Sequence, residues 1–555
     1  MIAVNLDRVT VTYISEPIFE NLSWEIHDDR VVGLVGPNGC GKSTLLRLIA
    51  GELTSDTGFT IRRKELTIGY LRQEPQLEPG RTVLQEALTA STELARIETE
   101  LTRIENQLAD PAVHGDEKTL ARVLDRQLRL LDEYTELGGP AYEGRVRSTL
   151  RSLGFADADL NLPVEVLSGG QKKLVGLAKL LITQPDLLLL DEPDNHLDLE
   201  GKAFLERLIR GYRGAVIIVS HDRYLLDLVV DEIAELDAPN GAGRLTHYPG
   251  SYSEYAFEKQ TRLLRQQQIY QAQQKEITRL EQAAKRLLTW GKVYDNAKFS
   301  KRGKNILNRL EKMERVERPT LDRKRMGLEL NGWRGSNKVL EITDLDKTFP
   351  IENGADEAII LAGLDLLVWR GQRVGIVGPN GAGKSLLFRL ILGQETPSGG
   401  EIAIGPSVKI GYYAQEHETL DYERTLIETV RQAAPLSEDA AVRFLGRFLF
   451  TYEHARGPVS NLSGGERSRL QMALMMLSDA NFLLLDEPTN NLDIPSAEVL
   501  EDAMTDFEGA VLVISHDRYF LDRVVDRIVE LDEGTLTEYL GGYSDYQAAK
   551  ARIQK

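Results

Sequence analysis

Gly36-Pro37-Asn38-Gly39-Cys40-Gly41-Lys42-Ser43 and, 342 residues later, Gly378-Pro379-Asn380-Gly381-Ala382-Gly383-Lys384-Ser385 both read G-x-x-x-x-G-K-S. An apolar run precedes each, Val31-Val32-Gly33-Leu34-Val35 and Val374-Gly375-Ile376-Val377. Another follows each, Leu45-Leu46-Arg47-Leu48-Ile49 and Leu386-Leu387-Phe388-Arg389-Leu390. The pattern predicts strand, loop and helix, which is the context a phosphate-binding loop requires. Glycines let the backbone fold its N–H groups around phosphates at the positive end of the following helix. Lys42 and Lys384 are placed to reach the β- and γ-phosphates of a nucleotide, and Ser43 and Ser385 to hold Mg2+. A chance glycine-rich turn does not account for two copies in the same context.

Most of the chain around these loops is one domain written twice. Gln73, in Gly69-Tyr70-Leu71-Arg72-Gln73, recurs as Gln415 at the same offset of 342. Leu167-Ser168-Gly169-Gly170-Gln171 recurs as Leu462-Ser463-Gly464-Gly465-Glu466 at an offset of 295. Asp191-Glu192-Pro193 and Ser220-His221-Asp222-Arg223-Tyr224 recur at 295 as well, as Asp486-Glu487-Pro488 and Ser515-His516-Asp517-Arg518-Tyr519. The first copy therefore carries 47 extra residues between the glutamine and the Leu-Ser-Gly-Gly motif. Leu94, Ile97, Leu101, Ile104 and Leu108 stripe one helix there. Asp110-Pro111 and His114-Gly115-Asp116 break it, and Ala121, Leu124, Leu128 and Leu131 resume the stripe. The expectation is an antiparallel helical hairpin at about 90–138, packed on itself with its charged faces outward.

A second addition separates the copies. Leu263, Tyr270, Ile277, Leu280, Ala284 and Leu287 stripe a long helix, and Ile306, Leu310 and Met313 begin another before Pro319. Residues 258–326 hold 19 Lys and Arg against 8 Asp and Glu, a net of +11 in a chain whose total is −18. The stretch between the helices carries Trp290, Tyr294 and Phe299 among Lys292, Lys298, Lys301, Arg302 and Lys304. Positive charge with aromatic rings suits a polyanion with exposed bases; a solvated spacer with core aromatics is the alternative.

The bulk properties set the limits. A length of 555 residues suggests two to four domains, and 42% hydrophobic residues supply ample core. The acidic total argues against a general nucleic-acid coat. Cys40 is the single cysteine, which excludes an internal disulfide, a four-thiolate zinc site and a cysteine-held iron–sulfur cluster. No apolar run approaches a membrane span, and the N-terminus lacks a signal-peptide pattern. A soluble, cytoplasmic protein is expected.

The repeated motifs carry a consistent chemistry. Leu187-Leu188-Leu189-Leu190-Asp191 and Phe482-Leu483-Leu484-Leu485-Asp486 read as buried parallel strands that deliver a carboxylate at their C-terminal edge. Asp191 and Asp486 can organise the Mg2+ shell, and Glu192 and Glu487 can orient and polarise an attacking water. Gln73 and Gln415 can sense water, Mg2+ or the γ-phosphate. His221 and His516 end apolar strand runs and can hydrogen-bond that phosphate. Ser168-Gly169-Gly170 and Ser463-Gly464-Gly465 open helices as anion sites.

This set of motifs resembles the ATP-binding cassette (ABC) ATPases over both copies, the Leu-Ser-Gly-Gly signature being highly specific to them. The resemblance implies an α/β fold with two tandem cassettes facing head to tail, and ATP with Mg2+ as substrate and cofactor. Site one would join Lys42, Glu192 and His221 to Ser463, with Gln171 and Glu466 following the signature glycines. Site two would join Lys384, Glu487 and His516 to Ser168. Tyr13 and Phe349 look like the family's adenine-stacking residues. The absence of a transmembrane domain and of the cysteines of the iron–sulfur and zinc-bearing branches leaves a chain that resembles the ABC-F family. That family has twin cassettes, an arm in the first and a basic helical linker. The expected domains are 1–255, 256–338 and 339–555. Three positions depart from the family pattern: Asp194 stands for threonine, Asn491 for histidine, and Leu386 for the hydroxyl found as Thr44. They put equal ATP affinity and turnover at the two sites in doubt.

What the resemblance implies for function is binding at the ribosomal exit site. The linker at about 285–304 would reach ribosomal RNA and tRNA in the peptidyl site, and the arm would meet the ribosomal stalk. Closure on ATP would accompany binding, and hydrolysis would drive release. The chain would act as a monomer with its cassettes paired internally, in translation regulation or in ribosome protection from antibiotics. A cytosolic engine for a separate membrane permease and a DNA-associated ATPase are the competing readings.

Overall fold

In the computed structural model, the four unbroken apolar runs read from the sequence become the middle of two parallel sheets. The structure describes the chain except residues 14–15, 110–116, 238–242, 294–296, 314–325, 329, 331–334, 351–356, 415–419 and 554–555. Gln415, Tyr294 and Pro319 thus lie outside the described residues, as does the expected break at 110–116. The chain forms two compact units, Met1–Ser251 with Met326–Lys555, and Tyr252–Arg325.

The first unit contains both cassettes. In the first, strands Ile68–Leu71, Leu187–Asp191, Ala215–Val219, Val31–Val35 and Glu232–Asp237 pair in parallel in that order, and Arg244–Pro249 closes one edge antiparallel. Leu187–Asp191 and Ala215–Val219 are buried at every position. Each such leucine contributes about 1.5–3 kcal/mol by leaving water, so these runs fix which strands lie inside. The second cassette repeats the order with Ile410–Tyr413, Phe482–Asp486, Ala510–Ile514, Arg373–Val377, Arg527–Asp532 and Thr535–Leu540. A three-stranded antiparallel sheet accompanies each: Ile2–Tyr13 between Glu16–His27 and Thr57–Arg62, and Lys338–Pro350 between Glu357–Trp369 and Gly399–Ile404. One core in each copy joins this sheet, the parallel sheet and the helix after the glycine loop. Cys40 is buried in the first of these cores.

Helices Thr92–Leu108 and Glu117–Glu136 lie in the inserted stretch. Arg96 meets Glu133 at 2.9 Å, and the Tyr134 hydroxyl donates to Glu98 at 3.0 Å, as an antiparallel pair requires. These pairs are exposed and add little stability. Ile97, Ile104 and Leu130 make the small core, backed by Leu101, Leu108, Val123 and Tyr134. The first expected stripe is the buried one. The second is not: Ala121, Leu124, Leu128 and Leu131 are exposed, Leu128 at 61%. The helix carries two apolar stripes one residue apart, about 100° around its axis, and Leu120, Val123, Leu130 and Tyr134 take the inner side.

The second unit contains helices Tyr252–Val293 and Ala297–Glu311. Every residue of the two expected stripes is buried or half-buried here. Gly303 allows a close crossing, because a Cβ there would lie 2.8 Å from Leu288 Cγ. Trp290 meets Phe299 edge-on with ring centroids 6.3 Å apart, and remains 49% exposed. Met326, Leu328 and Leu330 belong to the core of the second cassette.

Candidate functional site

The glycine loops have the geometry their sequence demands. Gly41 and Gly383 cap their helices at φ 99° and 96°, a left-handed conformation that costs any other residue energy. A Cβ on Gly36 or Gly378 would lie 2.3 or 2.1 Å from the carbonyl oxygen of Leu236 or Leu531. The Lys42 ammonium folds over its loop, donating to the Gly36 and Pro37 carbonyls at 2.8 and 3.1 Å. Lys384 does the same to Gly378 and Pro379, both at 2.8 Å. Thr44 is half-buried, whereas Leu386 packs against the second core. The second loop thus lacks a hydroxyl at that position.

The strand-end acids sit beneath the loops. Asp191 is buried, accepts a hydrogen bond from the Tyr70 hydroxyl at 3.2 Å, and has the Ser43 hydroxyl close by. Burial pushes its pKa up, against the pull of Ser43 and Tyr70. Its Oδ1 is buried with no hydrogen-bond partner. A free carboxylate oxygen beside a serine hydroxyl fits a hard divalent cation. Among the described residues no three His, Cys, Asp or Glu side chains form a cage, so a Mg2+ here would share nucleotide oxygens. Ser43 and Asp191, with Ser385 and Asp486 in the other copy, would hold it; when bound it neutralises developing phosphate charge.

Glu192 and Glu487 both adopt φ 49°, and His196 and Asn491 adopt 65° and 64°. Such left-handed backbone in ordinary residues persists only where the surroundings enforce it. Gln73 and Asn195 both donate to Glu192 Oε2, at 2.7 and 2.6 Å. His221 Nε2 lies 3.7 Å from Glu192 Oε1. In the other copy the His516 backbone N–H donates to Glu487 Oε2 at 3.2 Å, and its Nε2 lies 3.4 Å from Oε1. Burial, reinforced by Asp486, pushes Glu487 up to about 8. Burial and the neighbouring Asp191 raise Glu192 as well. Burial, with Lys42, holds His221 down at about 3, and burial with Lys384 holds His516 well below its ordinary value. These contacts are therefore made by neutral imidazoles, which can donate or accept one hydrogen bond beside a phosphate.

The signature serines cap helices Gly169–Thr183 and Gly464–Leu477. Ser168 Oγ accepts from the Gln171 N–H at 3.2 Å, while the Ser463 hydroxyl donates to Glu466 at 2.7 Å. Tyr13 and Phe349 are exposed at strand ends, and the Lys347 ammonium lies 4.8 Å from the Phe349 ring centroid.

The two copies meet head to tail. Asn38, in the first loop, donates its backbone N–H to Asp493 at 3.2 Å and its side-chain amide to the Asn491 carbonyl at 3.2 Å. Asn380 repeats this with Asp198 and His196, both at 3.1 Å. A Cβ on Gly465 would lie 3.0 Å from Asn38 Nδ2, so the first loop faces the second signature. Farther along, Arg223 pairs with Glu501, and Arg518 with Glu206. Arg223 also stacks on Tyr519 at 4.0 Å, and Arg518 on Tyr224 at 4.5 Å. The sequence marks Asn38 and Asn380 as loop residues and Arg223 and Arg518 as repeated ones, without an interface role; Glu206, Glu501 and Lys173, whose ammonium donates to the Glu192 carbonyl at 2.6 Å, were not singled out. Asp198, Arg223 and Glu206 recur 295 residues on as Asp493, Arg518 and Glu501; that recurrence was the available signal.

Residues 19–195 and 361–490 match the ABC transporter family model, and 241–329 match the extension model of the same description. YdiF of Bacillus subtilis is 39% identical, over 99% of this chain and 83% of its own length. ABC transporter F family member 5 of Arabidopsis thaliana is 34% identical, over 98% and 77%. Energy-dependent translational throttle protein EttA of Escherichia coli K12 is 35% identical, over 96% and 93%. The archaeal ribosome recycling factor aABCE1, solved with the ribosomal stalk protein aP1, shares the fold at a TM-score of 0.61 and 19% identity, covering 98% of this chain and 92% of that one. No described helix is long and apolar enough to cross a membrane. The tandem cassettes are ATP-hydrolysing domains, and the chain belongs to the ABC-F family of ABC ATPases.

Proposed function

We propose that this ATPase acts on the ribosome and regulates translation, with protection from a ribosome-targeting antibiotic as one form that role can take. The observation that carries the reading is the basic hairpin. Residues 258–326 hold +11 in an acidic chain, and Lys292, Lys298, Lys301, Arg302 and Lys304 are exposed around a half-exposed Trp290. Phosphate attraction supplies affinity, and an exposed ring can stack on a base. EttA, a relative over nearly the whole length, is by name a translational throttle.

In this reading each ATP lies between one glycine loop and the opposite signature. Glu192 and Glu487 orient the attacking water, with His221, His516, Gln73 and Gln415 around the γ-phosphate. The linker addresses ribosomal RNA and peptidyl-site tRNA from the exit site, and the arm addresses the stalk. The protein works in the cytoplasm as a monomer; closure on ATP accompanies binding and hydrolysis releases it. Sucrose-gradient sedimentation of the Glu192→Gln, Glu487→Gln protein with ATP tests this. Co-migration with ribosomes is expected. Migration with membranes would favour a transporter engine, and migration with neither would refute ribosome binding.

A further inference from the structure

The first copy carries two buried charged residues that the second copy lacks, and one of them reaches the other cassette. Lys202 stands where the second copy has Ala497, and Asp194 where it has Thr489, both at the repeat offset of 295. Both charged residues are buried. The Lys202 ammonium donates to Asp222 Oδ2 at 2.9 Å and, across the interface, to the His516 carbonyl at 2.8 Å. Arg518 from the second cassette also approaches Asp222, at 3.9 Å. Arg518 has Glu206 as its own partner, and Asp194 lies within electrostatic reach of Lys202, which offsets part of the burial and the Asp222 repulsion that push the Asp194 carboxyl upward. Burial works against the charge on Lys202, but Asp222, Asp194 and Asp517 of the second cassette together outweigh it. The second copy has no such device: Ala497 offers no donor to the carbonyl of His221.

We propose that Lys202, supported by Asp194 and Asp222, is a one-sided positioning residue that fixes the His516 backbone at site two when the cassettes close, making the two ATP sites inequivalent. The His516 N–H donates to Glu487 while its carbonyl accepts from Lys202. The lysine therefore acts on the residue that orients the carboxylate at site two, whereas no lysine at the equivalent position, Ala497, can donate to the His221 carbonyl at site one. This rests on the reading of Glu192 and Glu487 as the water-orienting groups.

The test combines Asp194→Thr and Lys202→Ala, the residues with which the second copy folds, in each single-glutamine background. With Glu192→Gln, only site two turns over, and the double substitution should lower kcat about tenfold to a hundredfold with KM within about twofold, as expected when an aligned group is misplaced. With Glu487→Gln, only site one turns over; Asp194 lies within electrostatic reach of Glu192, so Asp194→Thr is measured there alone as well, and adding Lys202→Ala to it should change kcat by less than about twofold. Lys202→Arg, which keeps a donor, should recover part of the loss at site two. A merely structural role would lower thermal stability and depress both backgrounds alike. Equal loss in both backgrounds, or loss in neither, overturns the proposal. The two single-glutamine proteins measured alone report separately on the glutamates.

Discussion

Removing the Glu501 carboxylate should unlatch the cassettes without unfolding them. Glu501 is fully buried and takes Arg223 from the first cassette, whose side chain is 5% exposed, along with Arg523 from its own. Glu501→Gln leaves the Arg223 guanidinium buried against a neutral amide. Breaking one partner of a buried pair costs about 3–5 kcal/mol. Arg223 returns to water when the cassettes part, so the cost falls on the closed state, and closure should weaken by about 100-fold or more. The Arg523 contact is half-exposed and its loss costs under about 1 kcal/mol, so the melting temperature should move little. Steady-state ATPase of wild type, Arg223→Met, Glu501→Gln and the double variant forms a double-mutant cycle. Each single change should lower kcat/KM strongly, and the double should be far less than additive, with a coupling of about 2–3 kcal/mol. Coupling below about 0.5 kcal/mol would refute the latch, as would a large fall in melting temperature without a change in kcat/KM.

Replacing the arm at about 90–138 by a short glycine linker should leave ribosome-independent ATP turnover within about twofold, because Ile97, Ile104 and Leu130 form a core of their own; lost nucleotide binding would place the arm in the cassette core. Lys298→Glu, Lys301→Glu and Arg302→Glu together should weaken ribosome association more at low salt than at high, read by a salt titration, with ATP affinity unchanged. Glu487 is held near 8 against 4.5, so the folded protein binds the extra proton between those values; its contribution to stability should fall as pH rises from about 5 to 8, and melting curves of Glu487→Gln should lack that component. By the same shift, turnover at site two, isolated with Glu192→Gln, should rise between about pH 7 and 9, and a flat profile would contradict it.

The sequence was most legible where one element decides its own environment. A four-leucine run ending in Asp191 can only be an interior strand, and the doubled glycine loops fixed the chemistry. The linker stripe from Leu263 to Leu287 gave the buried side, and Phe257, Leu264 and Ile269 lie off it and are exposed. The arm's second helix has two apolar sides, and Leu124, Leu128 and Leu131 outweigh Val123, Leu130 and Tyr134 by hydropathy alone. What decided between them was the partner helix, through the Ile97 and Ile104 core and the Tyr134 hydroxyl on Glu98. The cross-cassette contacts were half legible. Asp198, Glu206 and Arg223 repeat, but repetition does not say what a residue faces. Lys202 was invisible because it breaks the repeat: a search for identities passes over the position where the copies differ.

The account rests most heavily on the basic hairpin meeting RNA. A density map of the Glu192→Gln, Glu487→Gln protein trapped with ATP on ribosomes tests it directly. The account predicts Lys292, Lys298, Lys301 and Arg302 within contact distance of tRNA or ribosomal RNA phosphates, with both nucleotides enclosed between the cassettes. A hairpin tip projecting into solvent, or a protein that binds ribosomes only through other surfaces, would contradict it.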